Sequence, residues 1–283
     1  MESIQELMQK AHTLFLEEKY PEAEEIYKDL LYERMIDGND RVLVEIEFSW
    51  LLYRSKRYDE ALAILKRLSD VPELTKRQQF DIHRLTGFCY VVHGDNVSAL
   101  HHLQQAVQIE IEEFEKRFIY YELGRLYFLQ GDYPAALQEL SIAHDYFTDD
   151  DEYFYAIKYY LGFIHLFQDN LEDAFAEFSF IIENSAFDDK VVGGMYGIAQ
   201  VFMKQGEYER VIQSCKDILS LDPDFSDRET LAYMMVRSYY ELQDWNSFSL
   251  FYRQLKSQYP EGMYKEIYRL FDKKMSELGN SVN

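Results

Sequence analysis

The chain has 283 residues, 51 of them acidic and 29 basic, for a formal net charge of −22. That balance disfavours nucleic acid and anionic membrane surfaces, because affinity for phosphate rests largely on Lys and Arg, and it leaves neutral or basic partners. A content of 47% hydrophobic and 16% aromatic residues, with five prolines and twelve glycines, supports an extensive core and few long linkers.

The N-terminus, Met1 to Met8, has no basic stretch ahead of an apolar one, so no signal peptide is expected. No stretch approaches the roughly 18 uninterrupted apolar residues of a membrane helix. Onward from there a short phrase repeats: an aromatic or other large residue, two variable positions, then Ala and an apolar residue. It reads Tyr20-Pro21-Glu22-Ala23, Tyr58-Asp59-Glu60-Ala61, Asn96-Val97-Ser98-Ala99, Tyr133-Pro134-Ala135-Ala136, Leu171-Glu172-Asp173-Ala174 and Tyr208-Glu209-Arg210-Val211. A weaker copy is Trp245-Asn246-Ser247-Phe248, and the steps between copies are 38, 38, 37, 38, 37 and 37 residues. A period of this length means stacked helical units, each burying its apolar face against its neighbours, so the array is one continuous domain.

Apolar residues at three- and four-residue spacing between the copies predict amphipathic helices throughout. Each unit reads as helix, tight turn, helix. In the fourth, Tyr120, Leu123, Gly124 and Tyr127 mark the first helix, Gly131 supplies the turn, and Ala136, Leu140 and Ala143 mark the second. Pro134 falls in the first turn of that second helix, where a missing N–H is harmless. The same punctuation recurs at Gly94-Asp95 and Gly206-Glu207. The last segment, Met263 to Leu278, reads as a helix whose charged residues, among them Lys265, Arg269 and Asp272, cover the open end of the stack.

These residues resemble the tetratricopeptide repeat, a helix–turn–helix unit of about 34 residues. The family places large residues at the fourth, seventh and eleventh positions, a small one at the eighth, Ala at the twentieth and apolar residues further on. The resemblance gives seven repeats, at about 4–37, 42–75, 80–113, 117–150, 155–188, 192–225 and 229–262, a capping helix over 263–278 and a tail over 279–283. It implies an all-α fold, a right-handed α-solenoid. Repeat two departs with Glu45 at the fourth place, and repeat seven with Val236 and Phe248 where small residues belong, which predicts a looser last unit. The surplus of three or four residues per unit predicts one extra helical turn.

In this family the first helices line the inner face through the second, fifth, ninth and twelfth places. Read through the array, the fifth place holds Met8, Ile46, Arg84, Tyr121, Tyr159, Tyr196 and Tyr233. The ninth and twelfth add Trp50, Tyr53, Phe88, Arg125, Phe128, Phe163, Arg237 and Tyr240 among others. Tyrosine suits peptide recognition, with a rigid apolar body and a hydroxyl, and Arg84, Arg125 and Arg237 are candidates to pair with ligand carboxylates. Two readings stay open: rings lining a groove that holds a peptide segment of a partner, or rings buried between adjacent first helices, the default for helically spaced aromatics.

The family's carboxylate clamp is missing, because its Asn place holds His12, Trp50 and Phe88. The run Thr148 to Glu152 lacks the alternation and Gly of a calcium loop. Cys89 and Cys215 form neither a disulfide framework nor a zinc site, which suits a reducing cytoplasm. Cys89 and His93 share a helix face without a third group to orient them. With no phosphate loop or nucleophile elbow, the expectation is a non-catalytic interaction adaptor in the cytoplasm, without cofactor or metal. The alternatives are a peptide-sensing signalling receptor or an assembly scaffold acting through its acidic outer face.

Overall fold

The computed structural model describes residues 2–280, and among these lie fifteen α-helices and no strand. The helices alternate as first and second members of pairs. These are α1 (Ile4–Leu16) with α2 (Tyr20–Lys28), α3 (Gly38–Arg54) with α4 (Tyr58–Ser69), α5 (Lys76–His93) with α6 (Asn96–Gln108), and α7 (Arg117–Gln130) with α8 (Tyr133–His144). Then come α9 (Glu152–Phe167) with α10 (Leu171–Asn184), α11 (Asp188–Gln205) with α12 (Tyr208–Leu221), α13 (Arg228–Glu241) with α14 (Trp245–Gln258), and α15 (Tyr268–Asn280). The chain divides into two compact units, one ending at Tyr146 and the other beginning at Phe147. Of the tail expected over 279–283, residues 279 and 280 belong to α15, and the rest lies outside the described residues.

The turn inside each pair has one backbone requirement. The residue two before the repeating phrase takes positive φ in every repeat: Glu18 (60°), Lys56 (61°), Gly94 (74°), Gly131 (78°), Asp169 (66°), Gly206 (74°) and Gln243 (58°). Three repeats meet this with glycine, which has no Cβ to clash, and four accept an L side chain in the left-handed region. Side-chain N-caps then start several second helices, with Asp95, Asp132 and Asp244 each accepting from a backbone N–H three residues on.

Small residues set how closely paired helices approach. In the first unit a Cβ on Gly87 would lie 2.5 Å from Leu103 Cδ2, and one on Gly124 would lie 2.5 Å from Leu140 Cγ. In the second unit a Cβ on Gly162 would lie 2.7 Å from Phe178 Cε1, and one on Gly197 would lie 2.4 Å from Phe178 Cδ1. At Gly87, Gly124 and Gly162 the eighth-place glycine therefore makes room for the twenty-fourth-place side chain of its own pair, while Gly197 of α11 makes room for Phe178 of the preceding pair. Ala23, Ala61, Ala99, Ala136 and Ala174 are fully buried on the other side of these contacts.

The two departures from the repeat are resolved by local chemistry. Glu45 is buried, but its Oε1 lies 3.0 Å from Arg41 and 3.1 Å from Arg67, so its charge is compensated. Phe248 does not leave a loose gap. It is fully buried, stacked on Tyr252 at 5.7 Å and edge-on to Phe271 of α15 at 5.4 Å. The final pair thus uses an aromatic cluster, with α15 as part of it, where the first five pairs use alanine and the sixth uses Val211.

The surplus residues are not spent uniformly. They lengthen the N-terminal ends of α3, α5, α9 and α11, form the 3-10 turn Glu113–Lys116 ahead of α7, and remain as a connection ahead of α13. The capping helix begins at Tyr268 rather than at 263, after a 3-10 turn at Lys265–Ile267. It buries Tyr268 and Phe271, and its Asp272 accepts from the Tyr252 hydroxyl (2.8 Å) and from Lys256 Nζ (2.7 Å).

Candidate functional site

In the first unit the candidate residues gather around Trp50 on α3. Its ring meets Tyr53 edge-on at 5.9 Å and Phe88 of α5 at 6.3 Å, and Tyr53 lies 6.4 Å from Phe88. The Arg84 guanidinium sits 4.9 Å from the centroids of both Trp50 and Phe80. Arg84 Nη2 donates to Asp81 Oδ1 at 2.8 Å. Burial lowers the pKa of Arg84, while Asp81 favours its charged form. On α7, Arg125 Nε donates to Glu122 Oε2 at 2.8 Å, and Phe128 lies 5.8 Å from Tyr133. Tyr121 is half-buried on the same helix.

In the second unit Tyr159 and Tyr196 are linked through Phe163. Tyr159 lies 4.8 Å from Phe163, which in turn lies 6.1 Å from Tyr196. Burial pushes the Tyr159 phenol up to about 12. The Tyr196 hydroxyl donates to Asp227 Oδ2 at 2.9 Å, and burial together with that carboxylate holds its pKa well above the usual range. Phe225, from the connection ahead of α13, covers Tyr196 at 5.4 Å. Tyr233 is stacked face to face on Tyr264 at 3.9 Å and 3°, and Tyr264 is held there by a hydrogen bond between its hydroxyl and Thr230 Oγ1 at 3.0 Å. The last rung is thus covered by the chain itself. On the same helix Arg237 pairs with Glu241, and Tyr240 packs on Phe271 at 5.5 Å.

Residues 195–229 match the tetratricopeptide repeat family. Comparison of the sequence with curated proteins finds no significant match. Among solved structures, the apo form of RapI aligns with a TM-score of 0.66 at 15% identity, over 95% of this chain and 79% of that one. NprR in complex with its cognate peptide NprX aligns with a TM-score of 0.64 at 12% identity, over 97% and 85%. YrrB, described as a TPR protein with an unusual peptide-binding site, aligns at 0.54 and 17% identity, over 70% and 93%. The chain has the tetratricopeptide-repeat fold.

Within this tetratricopeptide-repeat fold, all but one of the candidate residues are half-buried, neither sealed nor fully open. Phe163 is the exception. At 6% exposure it is core, packed 5.0 Å from Phe178, and it backs the column instead of facing a ligand. The arginines also need correction. Arg84, Arg125 and Arg237 each already hold a carboxylate of their own helix, Asp81, Glu122 and Glu241. A partly buried guanidinium needs a counter-charge, so these side chains are compensated rather than waiting for ligand carboxylates. In each unit the rings thus stand beside arginines whose charge is compensated.

Several neighbours of the site escape the fifth-, ninth- and twelfth-place pattern. The thirteenth place is apolar and well exposed at Leu16 (66%), Val92 (46%), Leu129 (58%) and Phe167 (49%). The available signal was an apolar residue beyond the stripe that packing requires. Phe225 and Tyr264 sit in connections, where no helical period marks them.

No catalytic arrangement appears among the described residues. Cys89 and Cys215 are free and buried, and burial pushes both thiols up to about 12, so they stay protonated. His93 Nε2 lies 3.3 Å from Asp59, not in a relay with Cys89. In the run Thr148 to Glu152, Asp151 accepts from Tyr153 N at 2.9 Å and starts α9. No group of three metal-ligating side chains is found among the described residues. No helix among them is long and apolar enough to cross a membrane.

Proposed function

We propose that this protein is a non-catalytic cytoplasmic adaptor that holds a peptide segment of another protein along its first helices. One observation carries the reading: the fifth, ninth and twelfth places present half-buried rings beside arginines that are already neutralised. Rigid aromatic bodies at the edge of burial are what recognition surfaces concentrate. A charge-compensated face suits uncharged or mixed peptide stretches despite a net charge of −22. A second reading, a peptide-sensing receptor, draws support from the likeness to NprR bound to its cognate peptide.

The test is selection of peptides on the wild-type protein from a displayed library, followed by affinity measurement on Tyr159→Ala/Tyr196→Ala and on the outer control Leu250→Ser. The expected result is at least tenfold weaker binding to the tyrosine variant, unchanged helicity by circular dichroism, and wild-type affinity for the control. Equal affinity for the tyrosine variant refutes the groove. A receptor would in addition show a peptide-induced change in overall dimensions by small-angle scattering.

A further inference from the structure

We infer that Asp37 and Gly38, on the connection into α3, form a site of spontaneous covalent modification, at which the aspartate closes on the next peptide nitrogen and reopens as isoaspartate. They are the chain's single Asp-Gly pair. Both residues are exposed. They lie between Ile36, which is buried, and Asn39, whose Oδ1 accepts from Gln78 Nε2 of α5 at 2.7 Å. The conversion does not depend on what the inner face binds.

Three features of the fold leave the reacting groups free. Asp37 caps α3 by position only. Its side chain accepts no bond from the first turn, whereas Asp95, Asp132, Asp151, Asp227 and Asp244 at the corresponding places all do. The Gly38 N–H belongs to the first turn of α3, whose donors have no partner within the helix, and no backbone carbonyl ahead of the helix receives it. Gly38 takes φ 57°, and a Cβ there meets nothing within 4 Å. With no side chain on the residue that carries the nucleophile, the Asp37 carboxyl carbon has room to swing over the nitrogen by rotation about ψ, which stands at −177° in the capped helix.

The Gly38 nitrogen attacks Asp37 Cγ. A C–N bond forms, the nitrogen gives up its proton, and one carboxyl oxygen leaves as water, which closes a succinimide ring. The two groups sit on adjacent residues, so closure has the advantage of an intramolecular reaction. Water then adds to either imide carbonyl. Cleavage of the bond from nitrogen to Cγ restores aspartate. Cleavage of the bond from nitrogen to the Asp37 main-chain carbon leaves the chain running through Cβ and Cγ, with the former main-chain carbonyl as a free carboxylate. One water is lost and one gained, and nothing is oxidised or reduced. The backbone gains a methylene, and the Asp37 carbonyl that accepts from Arg41 N at 3.3 Å no longer lies in the chain. The conversion therefore loosens the start of α3, next to its Asn39–Gln78 tie to α5.

The test holds the wild-type protein below its unfolding transition for several weeks, digests it, and locates isoaspartate by electron-transfer fragmentation. Asp224 is the internal control: its side chain is 95% exposed, but the next residue is Phe225, whose N–H is bonded to Asp222 O at 3.1 Å. Isoaspartate should build up at Asp37 at least about tenfold faster than at Asp224, because glycine leaves the attacking nitrogen unhindered. The rate should also fall within about tenfold of that in a free peptide spanning residues 34–42, because the fold leaves both groups unheld. Aged wild type should unfold at lower urea than Asp37→Ser aged beside it, since serine caps a helix and forms no imide. A smaller margin over Asp224 overturns the assignment. So does a rate further below that of the peptide, which would mean that the fold keeps the pair apart. Equal urea midpoints overturn the loosening of α3.

Discussion

The left-handed turn residue gives a test of whether one backbone rule governs every repeat. Lys56 (φ 61°) is an L residue in a conformation that costs about 1–2 kcal/mol relative to the right-handed region. Glycine removes that strain but adds about 0.5–1 kcal/mol of unfolded-state entropy. Lys56→Gly should therefore stabilise the turn by roughly 0.5 kcal/mol, since Lys56 is exposed and makes no ion pair that the change would remove. Gly131→Ala is the reverse experiment. A Cβ there meets nothing within 4 Å, so any loss is conformational, about 1 kcal/mol. Repeat arrays can open locally, so hydrogen exchange is the better assay. The N–H groups of Ser55 and Arg57, which donate to Leu51 O at 2.9 Å and Leu52 O at 2.8 Å, report opening of this turn. Their exchange should slow about twofold in Lys56→Gly, because 1.4 kcal/mol is a factor of about ten. The N–H of Asp132, bonded to Tyr127 O at 3.0 Å, should exchange about fivefold faster in Gly131→Ala. Shifts of the same sign in both variants would refute the reasoning.

Two further outcomes follow from packing and titration. Gly197→Ala puts a Cβ into the Phe178 ring at 2.4 Å and should destabilise the second unit by about 1–3 kcal/mol in urea unfolding, with partial rescue by Phe178→Leu. His102 is pushed down to about 4 by burial and by the nearby His83 and His101, with His83 Nδ1 at 3.2 Å, so the fold favours the neutral ring. Stability should then fall as pH drops from about 6.5, where the unfolded chain begins to take up the proton, to about 4, where the folded one follows. The loss is about 1–2 kcal/mol once partial exposure is allowed for, and His102→Gln should show a correspondingly smaller drop between pH 7 and 4.5.

How much of this was legible in the sequence follows from which residues packing constrains. The helix pairs were readable because Ala at the twentieth place and Gly at the eighth are dictated by close helix approach, as Gly124 against Leu140 shows. The turn rule was half readable: Gly94, Gly131 and Gly206 announce it, but Glu18, Lys56, Asp169 and Gln243 meet the same requirement without a glycine to mark it. Phe248 misled because its partner, Phe271, lies in α15 outside the repeat pattern. Within the site, periodicity placed the rings on one helix face but could not say how deep each would sit, so Phe163 and Tyr196 looked alike until Phe178 closed over one of them. The cover on Tyr233 comes from Tyr264, in a connection that carries no period at all.

The charge of the site was the least legible feature, and it changes the functional argument most. Nothing in a net charge of −22 suggests a neutral recognition face. Yet the fifth, ninth and twelfth places of all seven repeats contain no Asp or Glu. Three carboxylates beside them, Asp81, Glu122 and Glu241, stand three or four residues from an arginine on the same helix and pair with it, while Asp227 accepts from the Tyr196 hydroxyl. At these arginines the positive charge is therefore compensated within the helix that carries it. On the proposed peptide-binding reading, what remains for a ligand is ring surface and a few hydroxyls. On the same reading, the net charge of −22 would add a longer-range repulsion of anionic partners before contact.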